Sequence, residues 1–367
     1  MRWEVAGTAG GLAVLAACGA RTGFEPGGVS AAPGDAGTDG AFTSPDDGTP
    51  APCGAEPTVL ASGQQDPVDL AVDATHVYWT TQPLGKPTSG GVFSVPIAGG
   101  QVSTLADEQG FPLAVVVDAT NVYWTSQWNG NIAEAPTGGG AVSMLVSGLG
   151  ENDPGYLAVN GTSVFWVNFG SDQAATGSIA RMPLGGGSKT TLASGQAQPW
   201  QLAVDADAVY WIDVDEADDG GGSVMKAPLA GGATVTLASG QHLPEALAID
   251  DDTVYFTNGG THAGNFLDGA VLSVPKRGGD VKTLASGQQG ALGIATDGAS
   301  VYWVAAATRS GDGTVMRVPR GGGTPVTLAS AQASPGAVAV DGQCVYWLNA
   351  GTGAADESDG TVMMIAK

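Results

Sequence analysis

Five acidic residues crowd a stretch of seven positions in this chain. Carboxylate oxygens are ligands that Ca²⁺ prefers in proteins. The spacing differs from that of an EF-hand, because Ala217 occupies the fifth position. The sequence predicts a candidate calcium site, with Glu216 beside it, at Asp213, Asp215, Asp218 and Asp219. The alternative is a solvated acidic loop.

Histidine is scarce, with three in the whole chain. His242 lies three residues before Glu245, and such a pair could transfer protons. The alternative is that the two residues are unrelated. His262 has no cysteine or histidine neighbour at metal-ligand spacing, so we expect a surface loop residue. No phosphate loop or dinucleotide fingerprint is present, and the sequence assigns no catalytic residue.

The N-terminus is typical of a targeting segment. A short polar start is followed by small apolar residues from Val5 to Ala17, too few for a helix that spans a bilayer. Leu15-Ala16-Ala17-Cys18 resembles the bacterial lipobox, which implies acylation of Cys18 and an outer-membrane lipoprotein. The alternative is a secreted protein cut elsewhere. We therefore expect a signal peptide at 1–17 and a Pro- and Gly-rich disordered tether at 18–56.

The elements that must position any site come from a repeat. A Val-Tyr-Trp-like triplet recurs every 42 to 47 residues, beginning at Val77, Val122, Val164, Val209, Val254, Val301 and Val345. Each repeat contains four short segments rich in β-branched or aromatic residues, separated by turn residues. Four strands at this period describe a β-propeller blade. The sequence predicts an all-β, seven-bladed β-propeller over 57–367, with the triplets in its core.

The strand count predicts how the ring closes. The last repeat lacks a fourth strand, and an extra strand of the fourth type occurs at 58–63. The N-terminal strand should therefore complete blade seven. Cys53 and Cys344 then fall at one end of that sheet, which predicts a disulfide between them, with two free thiols as the alternative.

Loops of variable length all connect second to third strands and should lie on one face of the ring. They span 80–91, 126–131, 168–177, 213–222, 258–269, 305–313 and 349–360. Function on a rigid scaffold usually resides in such loops. Aromatic residues on this side could stack on a sugar or anchor a peptide, or could simply pack locally: Trp128, Trp200, Phe111 and Tyr156.

Several strands resemble known propeller repeats. Tyr78-Trp79-Thr80 and Tyr123-Trp124-Thr125 resemble the YWTD repeats of low-density-lipoprotein-receptor propellers, without the final Asp. The whole unit is similar to that of uncharacterised propeller lipoproteins of high-GC bacteria, and to TolB-like and NHL-like propellers. This resemblance implies an envelope protein that binds other macromolecules.

The net charge of -23 disfavours nucleic acid and anionic lipid as partners. We therefore expect an envelope-anchored binding or scaffold module that acts as a monomer and recognises a protein or a glycan. The sequence indicates no cofactor other than the candidate calcium ion. The alternative function is a metal-dependent lyase or hydrolase at the channel mouth, and a third reading is a purely structural envelope component.

Overall fold

A computed structural model describes residues 53–83, 86, 88–149, 154–170, 175–214, 220–264, 266–306, 311–353 and 358–367. The predicted signal peptide, Cys18 and most of the predicted tether lie outside these residues and stay predictions. Within the described ranges, no helix is long and apolar enough to cross a membrane.

Seven four-stranded antiparallel sheets form the described structure, as predicted. Each is one blade of a propeller. Blades 1 and 2 contain β2 (Pro67–Val72), β3 (His76–Thr81), β4 (Gly90–Pro96), β5 (Ser103–Gln109), β6 (Pro112–Val117), β7 (Asn121–Ser126), β8 (Asn131–Pro136) and β9 (Ser143–Val146). Blades 3 and 4 contain β10 (Pro154–Val159), β11 (Ser163–Asn168), β12 (Gly177–Pro183), β13 (Thr190–Gln196), β14 (Pro199–Val204), β15 (Ala208–Asp213), β16 (Gly222–Pro228) and β17 (Val235–Gln241).

The remaining blades repeat this order. Blades 5 and 6 contain β18 (Pro244–Ile249), β19 (Thr253–Asn258), β20 (Ala270–Pro275), β21 (Lys282–Ser286), β22 (Ala291–Thr296), β23 (Ser300–Ala305), β24 (Gly313–Pro319) and β25 (Val326–Gln332). Blade 7 contains β26 (Pro335–Val340), β27 (Cys344–Asn349), β28 (Gly360–Ala366) and the N-terminal β1 (Thr58–Gln64).

Both ends of the chain meet in blade 7. Strand β1 pairs antiparallel with β28, from Thr58 opposite Met364 to Gln64 opposite Gly360. The inner strand of blade 1, β2, packs against the inner strand of blade 7, β26. A disulfide joins Cys53, just before β1, to Cys344 at the start of β27. The predicted disulfide is therefore present, and it ties the N-terminal segment to the second strand of the same blade.

The recurring triplet forms the core. In blade 1, Val77, Tyr78 and Trp79 are completely buried, because the sheet is covered by a neighbouring blade on each face. Trp79 packs on blade 7, next to Tyr346 and Leu348, while Tyr78 packs towards blade 2. The aromatic rings of the triplet therefore hold adjacent blades together, as the sequence predicts.

The hydroxyl groups of the buried tyrosines make a hydrogen bond that recurs from blade to blade. In six blades the tyrosine hydroxyl donates to an aspartate five residues earlier, for example Tyr78 to Asp73 at 2.8 Å and Tyr346 to Asp341 at 2.8 Å. In blade 3 the tyrosine position is Phe165 and the acid position is Asn160. The aspartate is therefore replaced in the same blade in which the aromatic ring has no hydroxyl to donate.

Ion pairs link the later blades on the face that carries the short turns. Lys276 of blade 5 contacts Asp205 of blade 4 at 2.7 Å, and Lys367 of blade 7 contacts Asp297 of blade 6 at 2.8 Å. Arg320 of blade 6 contacts Asp252 of blade 5 at 2.7 Å. The residue equivalent to Lys276 in blade 1 is the buried Ile97, so this kind of link is specific to part of the ring.

These pairs predict a loss of stability in acid. Burial opposes the ionisation of Asp205, but hydrogen bonds from Lys276, from backbone amides and from Tyr210 lower its pKa to about 2. Because the folded pKa lies below the unfolded value near 4, this stabilisation is complete above about pH 4 and is lost as the pH falls towards 2.

Urea denaturation of the wild type and of Lys276→Met at pH 7 and at pH 3 measures this effect. We expect Lys276→Met to be the less stable protein at pH 7 and the difference to shrink at pH 3. An equal difference at both pH values would show that packing of the lysine stem, rather than its charge, is responsible.

Candidate functional site

The loop face of the propeller carries the variable segments predicted from the sequence. Inner strands begin on this face, and the connections between second and third strands end on it, because successive strands alternate in direction. Side chains at the starts of the inner strands therefore surround the mouth of the central channel. We call this region the mouth.

A ring of residues with left-handed backbone surrounds the mouth. In the six blades where the residue before the inner strand is itself described, that residue has a positive φ, and these residues are Asp66, Phe111, Gln198, Leu243, Gly290 and Ser334. Each carbonyl accepts an amide hydrogen from the residue that follows the second strand of its blade, as in Gln127 to Phe111 at 3.1 Å and Ala350 to Ser334 at 3.0 Å.

Such a backbone is uncommon for residues other than glycine, and it persists where the surrounding structure imposes it. We call these six residues the mouth ring. Its backbone is constant and its side chains are an acid, an aromatic ring, an amide, an aliphatic chain, a hydrogen and a hydroxyl. The scaffold thus presents a different chemical group at each of these six blades, which is an arrangement suited to recognition.

Trp128 and Phe111 lie side by side at blade 2. Their ring centroids are 6.5 Å apart, and the Trp128 side chain is 54% exposed. The Trp128 amide donates to the carbonyl of Gly110 at 3.1 Å, and Gly130 closes the same turn onto Gln127. A side chain on Gly110 would collide with Asn129, so glycine is needed for this close approach. The exposed Trp128 ring therefore lies beside a half-buried Phe111, on a turn held by several hydrogen bonds.

Trp200 and Tyr156 have a different role. Trp200 is 8% exposed, and its ring packs against Tyr156 at 5.5 Å and Phe169 at 5.0 Å. A Cβ on Gly155 would lie 2.4 Å from the Phe169 ring, so this glycine makes room for the phenylalanine. The three rings fill the junction between blades 3 and 4, and the Trp200 ring serves as core. The sequence reasoning missed Phe169.

An acidic residue lines the channel below the mouth ring. Asp69, on the inner strand of blade 1, accepts the Val115 amide of blade 2 at 3.0 Å, and burial raises its pKa to about 7. Gln201 makes the equivalent bond to the Leu247 amide at 2.8 Å. Burial also raises the pKa of Tyr156 well above its usual range, and the charges of Asp69 and Glu245 add to this. Sequence reasoning missed Asp69.

Asp213 is placed inside its blade. It is the last residue of β15, it is 8% exposed, and its carboxylate accepts the indole hydrogen of Trp211 at 3.1 Å. Burial raises its pKa to about 7. Asp215, Asp218 and Asp219 lie outside the described residues. The part of the chain with assigned positions holds no group of three His, Cys, Asp or Glu suited to a metal, and the calcium site in this loop stays a prediction.

The histidines occupy two places on the loop face. His242 precedes the mouth-ring residue Leu243 and is exposed, and its carbonyl accepts the Gly260 amide at 3.4 Å. His262 is exposed in the blade 5 loop, as predicted, with its ring 5.1 Å from that of Phe266. Glu245 lies one residue into β18.

Comparisons with known proteins identify the fold. No protein-family model and no curated protein matches the chain. The chain is similar to the structure of virginiamycin B lyase from Staphylococcus aureus, with a TM-score of 0.60 and 13% identity over 84% of this chain and 98% of that one. It is similar to the WD40 propeller domain of Doa1, with a TM-score of 0.62 and 13% identity over 85% and 96%.

A third similar structure is the PQQ-bound aldose sugar dehydrogenase from Streptomyces coelicolor, with a TM-score of 0.53 and 14% identity over 86% of this chain and 100% of that one. At these identities the likeness concerns the fold alone. Two of the three are enzymes and one is a WD40 domain. The fold therefore does not decide between catalysis and binding.

Proposed function

We propose that this protein is an envelope-anchored binding or scaffold module, which recognises a protein or a glycan through the loop face of its propeller. The observation that carries the proposal is the exposed Trp128 ring beside Phe111. Large aromatic side chains supply much contact area for little loss of conformational freedom, and they dominate many binding surfaces.

The disulfide supports the location. A bond between Cys53 and Cys344 persists in oxidising compartments outside the cytoplasm. The lipobox-like sequence around Cys18 supports attachment to the outer membrane, with the 18–56 segment as the tether. Labelling with a palmitate analogue tests the anchor. We expect Cys18→Ser to lose the label while Cys53→Ser keeps it.

Replacement of Trp128 tests the binding surface. We expect Trp128→Ala to weaken capture of the partner from solubilised envelope, or binding to a glycan array, by about 10-fold or more, because an aromatic anchor contributes about 2 kcal/mol or more. The measurement is the affinity of the full-length protein for the captured partner, by surface plasmon resonance.

Met144→Ala is the matched control. Met144 belongs to the same blade and is 55% exposed, against 54% for Trp128, but it lies on the outer strand β9. We expect its substitution to leave the affinity unchanged. Equal losses in both variants, or no loss in either, would exclude the Trp128 surface as the binding site.

One observation favours the alternative, a metal-dependent lyase or hydrolase at the mouth. Burial raises the pKa of Asp69 to about 7, and a carboxyl with such a pKa is suited to general acid–base catalysis. The hydrogen bond that Asp69 accepts from the Val115 amide gives the residue a structural role as well, because it links blade 1 to blade 2. Metal analysis of the purified protein separates the two functions, since a tightly held transition metal would favour the enzyme.

A further inference from the structure

Two buried oxygen atoms at the junction of blades 6 and 7 have no hydrogen-bond partner. They are Ser334 Oγ and Asn349 Oδ1, in residues that are 9% and 6% exposed. Ser334 belongs to the mouth ring, and Asn349 ends β27. A buried polar group without a partner destabilises the folded state, because it loses its hydrogen bonds to water. A species that carries positive charge or a hydrogen-bond donor would remove this cost.

The direction of the Asn349 amide follows from its other contacts. Its Nδ2 donates to Gln332 Oε1 at 3.0 Å and to Thr361 Oγ1 at 3.1 Å. Turning the amide over would place its oxygen against Gln332 Oε1, which is also an acceptor and already receives the Trp347 indole hydrogen at 2.9 Å. Oδ1 is therefore held away from these partners.

A carboxylate lies in the same part of the blade. The Asn349 end of the loop folds onto the mouth ring, because Ala350 donates to the Ser334 carbonyl at 3.0 Å. Asp359, from the other end of the loop, receives the Thr352 amide at 2.7 Å and the Thr352 hydroxyl at 2.6 Å, both on Oδ2. A Cβ on Gly351 would lie 2.1 Å from Asp359 Oδ1, so only glycine allows the carboxylate to pack here.

Blade 5 shows what is particular to blade 7. Its loop is built in the same way, with Asp268 receiving the amide and the hydroxyl of Thr261 and with Asn258 Oδ1 also unpartnered. The two Thr261 donors, however, go to different oxygens of Asp268, and the mouth-ring residue is the aliphatic Leu243. Of these two blades, only blade 7 has a hydroxyl, that of Ser334, at the mouth-ring position next to the amide and carboxylate residues of the loop.

We infer that Ser334, Asn349 and Asp359 form a calcium site at the junction of blades 6 and 7. Neutral and anionic oxygens are the ligands of hard cations, and Ca²⁺ tolerates irregular geometry whereas Mg²⁺ demands a near-ideal octahedron. Backbone carbonyls and water complete the coordination of such sites. With a single carboxylate among the ligands, we expect a Kd of about 10⁻⁴–10⁻³ M, the range of extracellular calcium modules.

Terbium luminescence tests the site in the full-length protein. Tb³⁺ replaces Ca²⁺ and emits when a nearby tryptophan is excited, and Trp347 is linked to Asn349 through Gln332. We expect emission that Ca²⁺ displaces. Ser334→Ala and Asp359→Asn should weaken binding by about 3-fold and about 10-fold or more, since the second removes the one carboxylate among the three proposed ligands.

Asp268→Asn is the matched control in blade 5 and should bind as the wild type does. An Asp218→Asn/Asp219→Asn variant separates this site from the predicted calcium loop at 213–219, and it should keep the emission that depends on Ser334. Far-UV circular dichroism in EDTA checks that each variant is folded. If Asp359→Asn does not fold, the binding measured for the conservative Ser334→Ala variant decides whether the site exists.

Two results would overturn the inference. The first is wild-type affinity in both Ser334→Ala and Asp359→Asn, which would place the ion elsewhere. The second is a wild-type protein whose emission does not respond to Ca²⁺ up to about 10 mM, beyond the weakest affinity of such modules. In that case water occupies the space around Ser334 Oγ and Asn349 Oδ1.

Discussion

Asp213→Asn is expected to raise the free energy of unfolding at pH 8 by about 2–4 kcal/mol. Burial raises the pKa of Asp213 to about 7 in the folded protein, whereas an unfolded aspartate titrates near 4. Between these values the folded state binds the extra proton, so the wild type loses stability as the pH rises from about 4 to about 7. The amide variant carries no charge at this position, so it does not undergo this loss of stability as the pH rises.

Blade 3 shows that an amide fits at this position. Asn168 is its equivalent there, and it accepts the Trp166 indole hydrogen at 3.1 Å, the same distance as from Trp211 to Asp213. Its Nδ2 donates to Ser178 at 2.9 Å, and Ser223 is the matching register partner of Asp213. The new amide group can therefore satisfy both its oxygen and its nitrogen.

Urea denaturation between pH 4 and pH 8 measures the effect. The difference between Asp213→Asn and the wild type should be small at pH 4, grow with pH and level off above about pH 7. The reciprocal control, Asn168→Asp, should destabilise blade 3 with the same pH dependence. A variant less stable than the wild type at pH 8 would show that the ionised carboxylate has a stabilising partner, for example a calcium ion held with the 215–219 segment.

Loss of the disulfide is the second large effect. The bond joins residues 291 positions apart, so it removes much freedom from the unfolded chain. We expect Cys53→Ala to lower the free energy of unfolding by about 2–5 kcal/mol. Strand β1 would then be held only by non-covalent contacts, namely its pairing to β28, the bond from Trp79 to Gln64 and the packing of Leu60, and its release would expose a strand edge in blade 7.

Thermal unfolding with and without reductant separates the contribution of the disulfide from that of the side chain. The wild type should lose about 5–10 °C in Tm when reduced, whereas Cys53→Ala should start low and be insensitive to reductant. Thiol counting on the unreduced wild-type protein should find neither Cys53 nor Cys344 reactive. A wild-type Tm that does not respond to full reduction would contradict a role for the bond in ring closure.

The repeat made the fold predictable. Residues such as Val77, Tyr78 and Trp79 recur at a fixed period, and each repeat supplies the same four strands. The missing fourth strand of the last repeat pointed to 58–63, and the pairing of β1 with β28 and the Cys53–Cys344 bond agree with that interpretation. These features follow from the order and number of the strands along the chain, which the sequence displays directly.

The site was less predictable, because it depends on which way side chains point across blade junctions. Trp128 and Trp200 look equivalent as unusual aromatic residues, yet one is exposed and the other is buried under Tyr156 and Phe169. Asp213 looks like part of an acidic loop, yet it ends a strand with its side chain facing Trp211. Comparison with Asn168, two residues after its own tryptophan, could have revealed this second role.

The central claim is that partners bind at the loop face. Hydrogen–deuterium exchange of the full-length protein, with and without its captured partner, tests this claim most directly. Protection should appear around Trp128 and in the neighbouring loops that connect second to third strands. The short turns on the opposite face should exchange as they do in the free protein. Protection confined to those turns, or to the outer strands near Met144, would contradict the account.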